Sequence, residues 1–309
     1  LGRLKRLLPR HIRQDGRQAL GEHALAGPGR PHQKDIMTAC GGNASADTGA
    51  DANADTGAAA GDTAKVAVVQ LVDNDAFTEM IDSFENKLTE LYGDGVTYDV
   101  KNAQGDMSTL NSIASELKTA DYDLVVPIVT PATQAVVNAG VTAPVVFISV
   151  TDPVAAGIMG DMAKPDKNAT GTSNIVPVDE IFTLAGKLTP DVKNIGILYC
   201  SGEKNAVLTA EKAKAYLDTT DYTYEEVTVA SSNEVQQAAQ SLAGKVDAIY
   251  IPIDSTVQSA MAQVVEAANA AGIPIYGSDP VMVKSGALAC VSVSNTQLGE
   301  RSAEMAYDI

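Results

Sequence analysis

From Lys65 onward, short runs rich in β-branched residues alternate with longer segments whose apolar positions recur every three to four residues. The first pattern suits strands buried on both faces and the second suits amphipathic helices, and their alternation is the signature of βαβ units in parallel sheets. The spacing predicts strands near residues 66–72, 97–101, 124–128 and 145–150, with helices near 76–92, 107–118 and 131–139. A second series predicts strands near 195–199, 223–228, 248–253 and 273–276, with helices near 178–188, 203–217, 233–242 and 256–271.

The two series resemble each other. Asp123-Leu124-Val125-Val126-Pro127-Ile128-Val129-Thr130 aligns without a gap to Asp247-Ala248-Ile249-Tyr250-Ile251-Pro252-Ile253-Asp254, and Gln134 and Gln258 each follow eleven residues after the leading Asp. Pro144-Val145-Val146-Phe147 then answers Pro274-Ile275-Tyr276, and Thr151-Asp152-Pro153 answers Ser278-Asp279-Pro280. Ordered matches of this kind imply two units of one topology. The expected fold is α/β, with two doubly wound parallel-sheet lobes joined by a hinge. Lobe 1 is expected to take residues 65–172 plus 294–309, and lobe 2 residues 173–293. The segment 170–175 is the candidate first crossing between lobes, with a return near 292–295.

Composition narrows the chemistry. The formal charge of -17 hides an asymmetry, because 14 Lys+Arg face 36 Asp+Glu from Cys40 onward. So acidic a body lacks the basic patch that nucleic-acid binding requires. His11, His23 and His32 are the three histidines, and all precede Cys40. The body therefore lacks the commonest general base and the Ser-His and Cys-His pairings, and an enzyme would have to work with Asp, Glu, Lys, Ser or Tyr. Beyond residue 40 the one arginine is Arg301, so a bidentate guanidinium clamp is all but excluded. No Walker A sequence, dinucleotide fingerprint or metal motif occurs, and neither a cofactor nor a metal is expected.

Cys200 and Cys290 lie in apolar runs and read as small buried residues, whereas Cys40 lies in Met37-Thr38-Ala39-Cys40-Gly41-Gly42. That stretch is similar to a bacterial lipobox, in which the cysteine is lipidated and becomes the N-terminus. Residues 1–39 supply positive charge without the apolar run of a secretory leader, so they read as an atypical leader or a mis-translated extension. Residues 40–64 hold the lipobox Cys and then a Gly-, Ala-, Asp- and Thr-rich stretch containing the repeat Ala-Asp-Thr-Gly-Ala, which reads as a disordered tether. No segment is long or apolar enough to span a membrane as a helix.

In open parallel sheets, ligands bind outside the carboxyl ends of strands. In the first series the polar residues at those ends are Gln70, Asp73, Thr130 beside Pro131, Thr151 and Asp152. In the second they are Ser201, Glu203, Asn205, Asp254, Thr256 and Asp279, with Ser173 and Asn174 near the crossing. Two such edges face to face would make a cleft for a small molecule. A carboxylate there could meet an ammonium, and hydroxyls and helix N-termini could meet a carboxylate. The same Ser, Thr and Asp residues are also natural helix N-caps. Phe147, Tyr199, Tyr250 and Tyr276 lie near strand ends, where core packing is the expected use.

Several ordered blocks carry a resemblance across residues 65–309: Val68-Val69-Gln70-Leu71-Val72, Asn102-Ala103-Gln104-Gly105-Asp106, Thr130-Pro131-Ala132, Thr151-Asp152-Pro153-Val154, Thr170-Gly171-Thr172-Ser173, Glu234-Val235-Gln236-Gln237-Ala238-Ala239 and Gly286-Ala287-Leu288-Ala289. On these blocks the chain resembles ABC-transporter substrate-binding proteins related to tryptophan- and tyrosine-uptake lipoproteins, of the type I periplasmic-binding-protein fold. The resemblance implies a monomeric, non-enzymatic protein that captures a small metabolite of the amino-acid class, aromatic ones included. It also implies delivery to an ABC permease with its ATPase, outside the bacterial cytoplasmic membrane, with anchoring through lipid on Cys40. Asn174 stands where relatives carry Asp, and relatives continue past Ile309, so the C-terminus is read as truncated. The rival readings are a ligand-sensing domain of a receptor or regulator with the same fold, and an enzyme built at the cleft from Asp152, Asp254 and Glu203.

Overall fold

The protein is described by a computed structural model covering residues 63–309; the leader, Cys40 and nearly all of the tether lie outside the described residues. Central strands form where runs of β-branched residues are buried on both faces. All four residues of β3 (Leu124–Pro127) and all six of β4 (Val145–Val150) are buried, while the edge strand β2 (Val96–Asn102) is largely exposed. With β1 (Ala64–Gln70) and β5 (Ala169–Ser173), these make a parallel sheet in the order β2-β1-β3-β4-β5.

The second sheet repeats the plan. β6 (Asn194–Cys200), β7 (Thr223–Val229), β8 (Ala248–Tyr250), β9 (Ile275–Gly277) and β10 (Ala289–Cys290) run parallel in the order β10-β9-β8-β6-β7. Counted from its own first strand, each sheet has the order 2-1-3-4-5, a doubly wound arrangement whose switch point lies beside its first strand. The expected α/β class with two parallel-sheet lobes is therefore present.

The aligned residues of the internal repeat perform matching tasks. Asp123 Oδ2 accepts from the Lys65 N–H at 2.9 Å, and Asp247 Oδ2 accepts from the N–H groups of Lys193 and Asn194 at 2.9 and 2.8 Å. Each carboxylate thus satisfies backbone donors where the first strand of its sheet begins. Gln134 Nε2 donates to the Ala156 carbonyl and Gln258 Nε2 to Asp279, so each Gln braces the turn after the next strand.

Helices cover both faces of each sheet. α1 (Asp75–Tyr92) starts where Asn74 accepts from the Phe77 N–H at 2.9 Å, and it buries Phe77, Met80, Ile81, Phe84 and Leu88 on one stripe. On the same side, α10 (Asn295–Tyr307) packs Leu298, Ala303 and Ala306 into the cluster that holds Phe84, Val68 and Val126. α2 (Met107–Leu117) and α3 (Val129–Ala139) cover the opposite face, where Ala67, Val69, Val125 and Phe147 meet Leu110 and Val136. In lobe 2, α4 (Val178–Leu188) and α5 (Lys204–Leu217) pack on one face and α6 (Val235–Ala243) and α8 (Met261–Ala271) on the other. Tyr250 and Tyr276 are core residues, with the Tyr250 ring edge-on to Phe182 at 5.0 Å.

Four local features depart from the sequence pattern. The helix expected over 256–271 breaks at Ala260 into α7 (Ser255–Ser259) and α8. The strand expected over 248–253 stops at Tyr250, because Pro252 has no N–H to extend the ladder. Residues 170–173, expected to cross between lobes, are the C-terminal part of β5, and the chain leaves the sheet after Ser173. A short α9 (Pro280–Lys284), capped by Asp279, was not anticipated.

Polar and apolar residues in β5 explain why it was hidden. Gly171 has φ +153, and a Cβ there would lie 2.0 Å from the Phe147 carbonyl oxygen. Thr172 Oγ1 lies 2.9 Å from Ser302 Oγ, which also donates to the Phe147 carbonyl, so buried hydroxyls tie α10 across β4 and β5. The chain returns from β10 to α10 over residues 291–294, and Val281 of α9 reaches into the cluster under α1.

Candidate functional site

The carboxyl ends of the two sheets face each other across a narrow cavity. Lobe 1 lines it with Ala76, Phe77 and Met80 from α1, Val129 at the start of α3, and Ser149 and Thr151 at the end of β4. Lobe 2 contributes Asn205 from α5, Ile253, Asp254, Ser255 and Gln258 around α7, and Asp279 at the start of α9.

Four of the residues singled out in the sequence, Thr151, Asn205, Asp254 and Asp279, line this cavity. Asp254 is the N-cap of α7, with Oδ1 accepting from the Val257 N–H at 2.7 Å and Oδ2 from the Cys200 N–H. Full burial, and then the negative charge of Glu203, push its carboxyl well above the usual carboxylate range. Asp279 caps α9 through Val281 N–H at 2.8 Å and accepts from Gln258 Nε2 at 3.2 Å; its acidity is also weakened by burial. Asn205 Nδ2 donates to the Ile253 carbonyl at 2.8 Å, while its Oδ1 is buried without a protein partner.

The other ten take supporting or peripheral positions. Glu203 lies behind α7 and accepts from the N–H groups of Ser255 and Thr256 at 3.0 and 2.8 Å and from Thr256 Oγ1 at 2.7 Å. It satisfies donors of the helix start that Asp254 leaves free. Asn174 Nδ2 donates to Ser149 Oγ at 3.3 Å, and Ser173 Oγ donates to the Thr151 carbonyl at 3.3 Å, so both brace the end of β4 from behind. Gln70 is buried and donates to the exposed Asp73 at 2.6 Å. Thr130 and Pro131 are buried in the first turn of α3, and Thr130 Oγ1 has no protein partner. Ser201 is exposed and hydrogen-bonds the Val229 carbonyl. Asp152 caps its own loop through the Ala155 N–H and stands 4.0 Å from Lys212 of lobe 2.

Sequence reasoning missed the lobe 1 wall apart from Thr151. Phe77 and Met80 read as core positions of α1, and Ser149 sits inside an apolar run. Ser149 and Val129 both have positive φ, +64 and +58. For a β-branched residue such as Val129 this is a strained conformation, of the kind concentrated at binding sites. No residue-type signal marks such positions in a sequence. Between the lobes, Lys284 of α9 pairs with Glu79 of α1, so ion pairs bridge the cleft at Asp152–Lys212 and Glu79–Lys284.

Residues 65–309 match the family described as ABC transporter substrate binding protein. A curated relative, the tyrosine-binding protein of Clostridioides difficile (strain R20291), is 36% identical over 247 residues, covering 79% of this chain and 72% of its own. A Streptococcus pneumoniae ABC domain solved in complex with L-Trp is 35% identical, with a TM-score of 0.77 over 80% of this chain and 84% of that one. The ligand-free, open structure of a substrate binding protein with adhesive properties from Clostridium difficile has the same identity, 35%, and the same coverage, but a TM-score of 0.58. With its family match, its paired parallel-sheet lobes and its interlobe cavity, the chain belongs to the ABC transporter substrate-binding proteins.

Proposed function

We propose that the protein captures an aromatic amino acid in the interlobe cleft, outside the cytoplasmic membrane, and presents it unchanged to an ABC permease and its ATPase. The observation that carries this reading is the cavity itself. One wall offers the apolar face of α1, Ala76, Phe77 and Met80, and the other offers the carboxylates of Asp254 and Asp279, with no cationic side chain on either. An apolar ring fits the first wall and an ammonium the second. The relatives named for tyrosine and solved with L-Trp support the same ligand class.

Residues 65–173 with 294–309, and 174–293, are the two bodies that move, turning about the crossings after Ser173 and before Asn295. Capture by closure follows because contacts from both walls are satisfied together only when the cleft is shut. Cys40 is the lipid attachment point, and the stretch after it is the tether. The protein acts as a monomer and performs no catalysis. A thermal-shift screen of the full chain against amino acids, nucleosides and sugars tests the reading. A ligand at 100 times its dissociation constant adds about 2.7 kcal/mol and raises the midpoint by roughly 5–10 °C. A selective shift with an aromatic amino acid, recovered intact, is the expected result; a shift with sugars alone would overturn it.

A further inference from the structure

We infer that α9 is a clasp between the lobes: Val281 and Lys284, neither of which lines the cavity, hold the cleft shut and so set affinity without touching the ligand. This rests on the reading of capture by closure and names the residues that bias it. α9 follows β9 and belongs by chain order to lobe 2, yet its two neighbouring apolar residues are divided between the lobes. Met282 is fully buried in the lobe 2 cluster that holds Leu242, Val264 and Ile275. Val281, 4% exposed, is buried in the cluster that holds Phe77, Met80 and Leu298, and every other member of that cluster comes from lobe 1. Three residues on, Lys284 pairs with Glu79 of α1. Asn295 Nδ2, at the start of α10, stands 3.4 Å from Glu79 Oε2 and 3.5 Å from Asp279 Oδ1, so the cap of α9 is tied to α1 as well.

Where each contact lies decides what it stabilises. Met282 packs on the sheet of its own lobe and stays there however the lobes are arranged. The contacts of Val281 and Lys284 cross between lobes, so parting α9 from α1 returns the valine to water and separates the ion pair. Both therefore favour the shut form alone. The dissociation constant rises in proportion as the shut share of ligand-free molecules falls. Val281 carries most of the effect, because burying its methyl groups outweighs an ion pair whose lysine side chain is 63% exposed.

Three measurements on the full chain test the clasp. Calorimetry with L-tyrosine reads affinity, single-molecule FRET between dyes on the two lobes reads the ratio of shut to open without ligand, and denaturant titration reads fold stability. Val281→Ala is expected to weaken L-tyrosine about five- to twentyfold and to lower the ligand-free ratio by the same factor. Lys284→Glu, which sets two carboxylates together, is expected to cost about threefold in both, and adding Glu79→Lys to restore both to within about twofold of wild type. Lower stability in Val281→Ala with affinity and ratio unchanged would make the valine a packing residue and overturn the clasp. Weaker binding with an unchanged ratio would place its effect in the ligand's own site and overturn it equally. If L-tyrosine does not bind the wild-type chain, the amino-acid reading fails, while the ligand-free ratio in the variants still decides the clasp.

Discussion

Asp254→Asn tests whether the buried carboxylate serves the ligand or only its helix. In the structure Asp254 does both: it caps α7 through the Val257 N–H, holds the end of β6 through the Cys200 N–H, and lines the cavity. An asparagine can accept one of those bonds, but its NH₂ must oppose the other donor, which costs about 1 kcal/mol. Against that, removing the charge relieves a fully buried carboxylate and its repulsion by Glu203. The two effects oppose each other, so stability at neutral pH should change by no more than about 1 kcal/mol. Ligand affinity has no such offset, because the ammonium loses the carboxyl oxygen that would accept from it. A loss of about 2–3 kcal/mol, roughly 30- to 150-fold in the dissociation constant, is expected.

The pH dependence supplies the independent check. The folded pKa of Asp254 is raised, so below the unfolded value the carboxyl is neutral in both states. As pH rises from about 3.8 through the raised folded value, the native state holds a proton that the unfolded chain has released, and stability declines. Asp279 adds a decline of the same sign. In Asp254→Asn this part of the slope should be lost, giving a flatter stability profile over that window in denaturant titrations. An unchanged affinity for the aromatic amino acid would refute the assignment of the ammonium to this carboxylate, and an unchanged slope would refute the account of its burial.

Asp247 has the opposite sign: backbone N–H groups of Asn194 and Lys193 lower its pKa, so its contribution is complete above about 3.8 and lost as pH falls through the lowered folded value. Asp247→Asn should therefore reduce the acid sensitivity of unfolding, read by circular dichroism between about pH 2 and 4. Gly299→Ala should destabilise by about 2–3 kcal/mol, lowering the midpoint by roughly 5–10 °C, because the new Cβ would lie 2.1 Å from Ser83 Oγ and 2.3 Å from the Met80 carbonyl and would force α1 and α10 apart. A midpoint within about 1 °C of wild type would contradict that close crossing.

The sequence was most legible where one physical demand dominates each residue. Strands β1, β3, β4 and β6 are buried on both faces, so their Val and Ile runs needed no context. Asp123 and Asp247, with Gln134 and Gln258, stood out as aligned positions because each pair carries one local hydrogen-bonding task repeated in the other lobe. β5 and β10 were illegible: Ala169–Ser173 is polar and contains a glycine, and Ala289–Cys290 is two residues long. Their strand character comes from neighbours already in the sheet.

The site was legible in part, for a related reason. Sequence alone determined that polar residues cluster at strand ends, that the body carries no histidine, and that an ammonium would find carboxylates but a carboxylate would find almost no arginine. Those are properties of residue type and order. Which of the carboxylates faces the cleft is a property of three-dimensional placement: Asp254 and Asp279 line the cavity, whereas Glu203 turns behind α7 and Asp152 caps its own loop. A carboxylate at a strand end can satisfy its own helix, a neighbouring strand or a ligand, and these alternatives have the same local sequence. The tertiary structure alone decided among them, because the choice depends on which buried donors lie within reach once the two lobes face each other. It also placed Phe77, Met80, Val129 and Ser149 on the cavity, the last two through positive φ angles sustained by the packing around them.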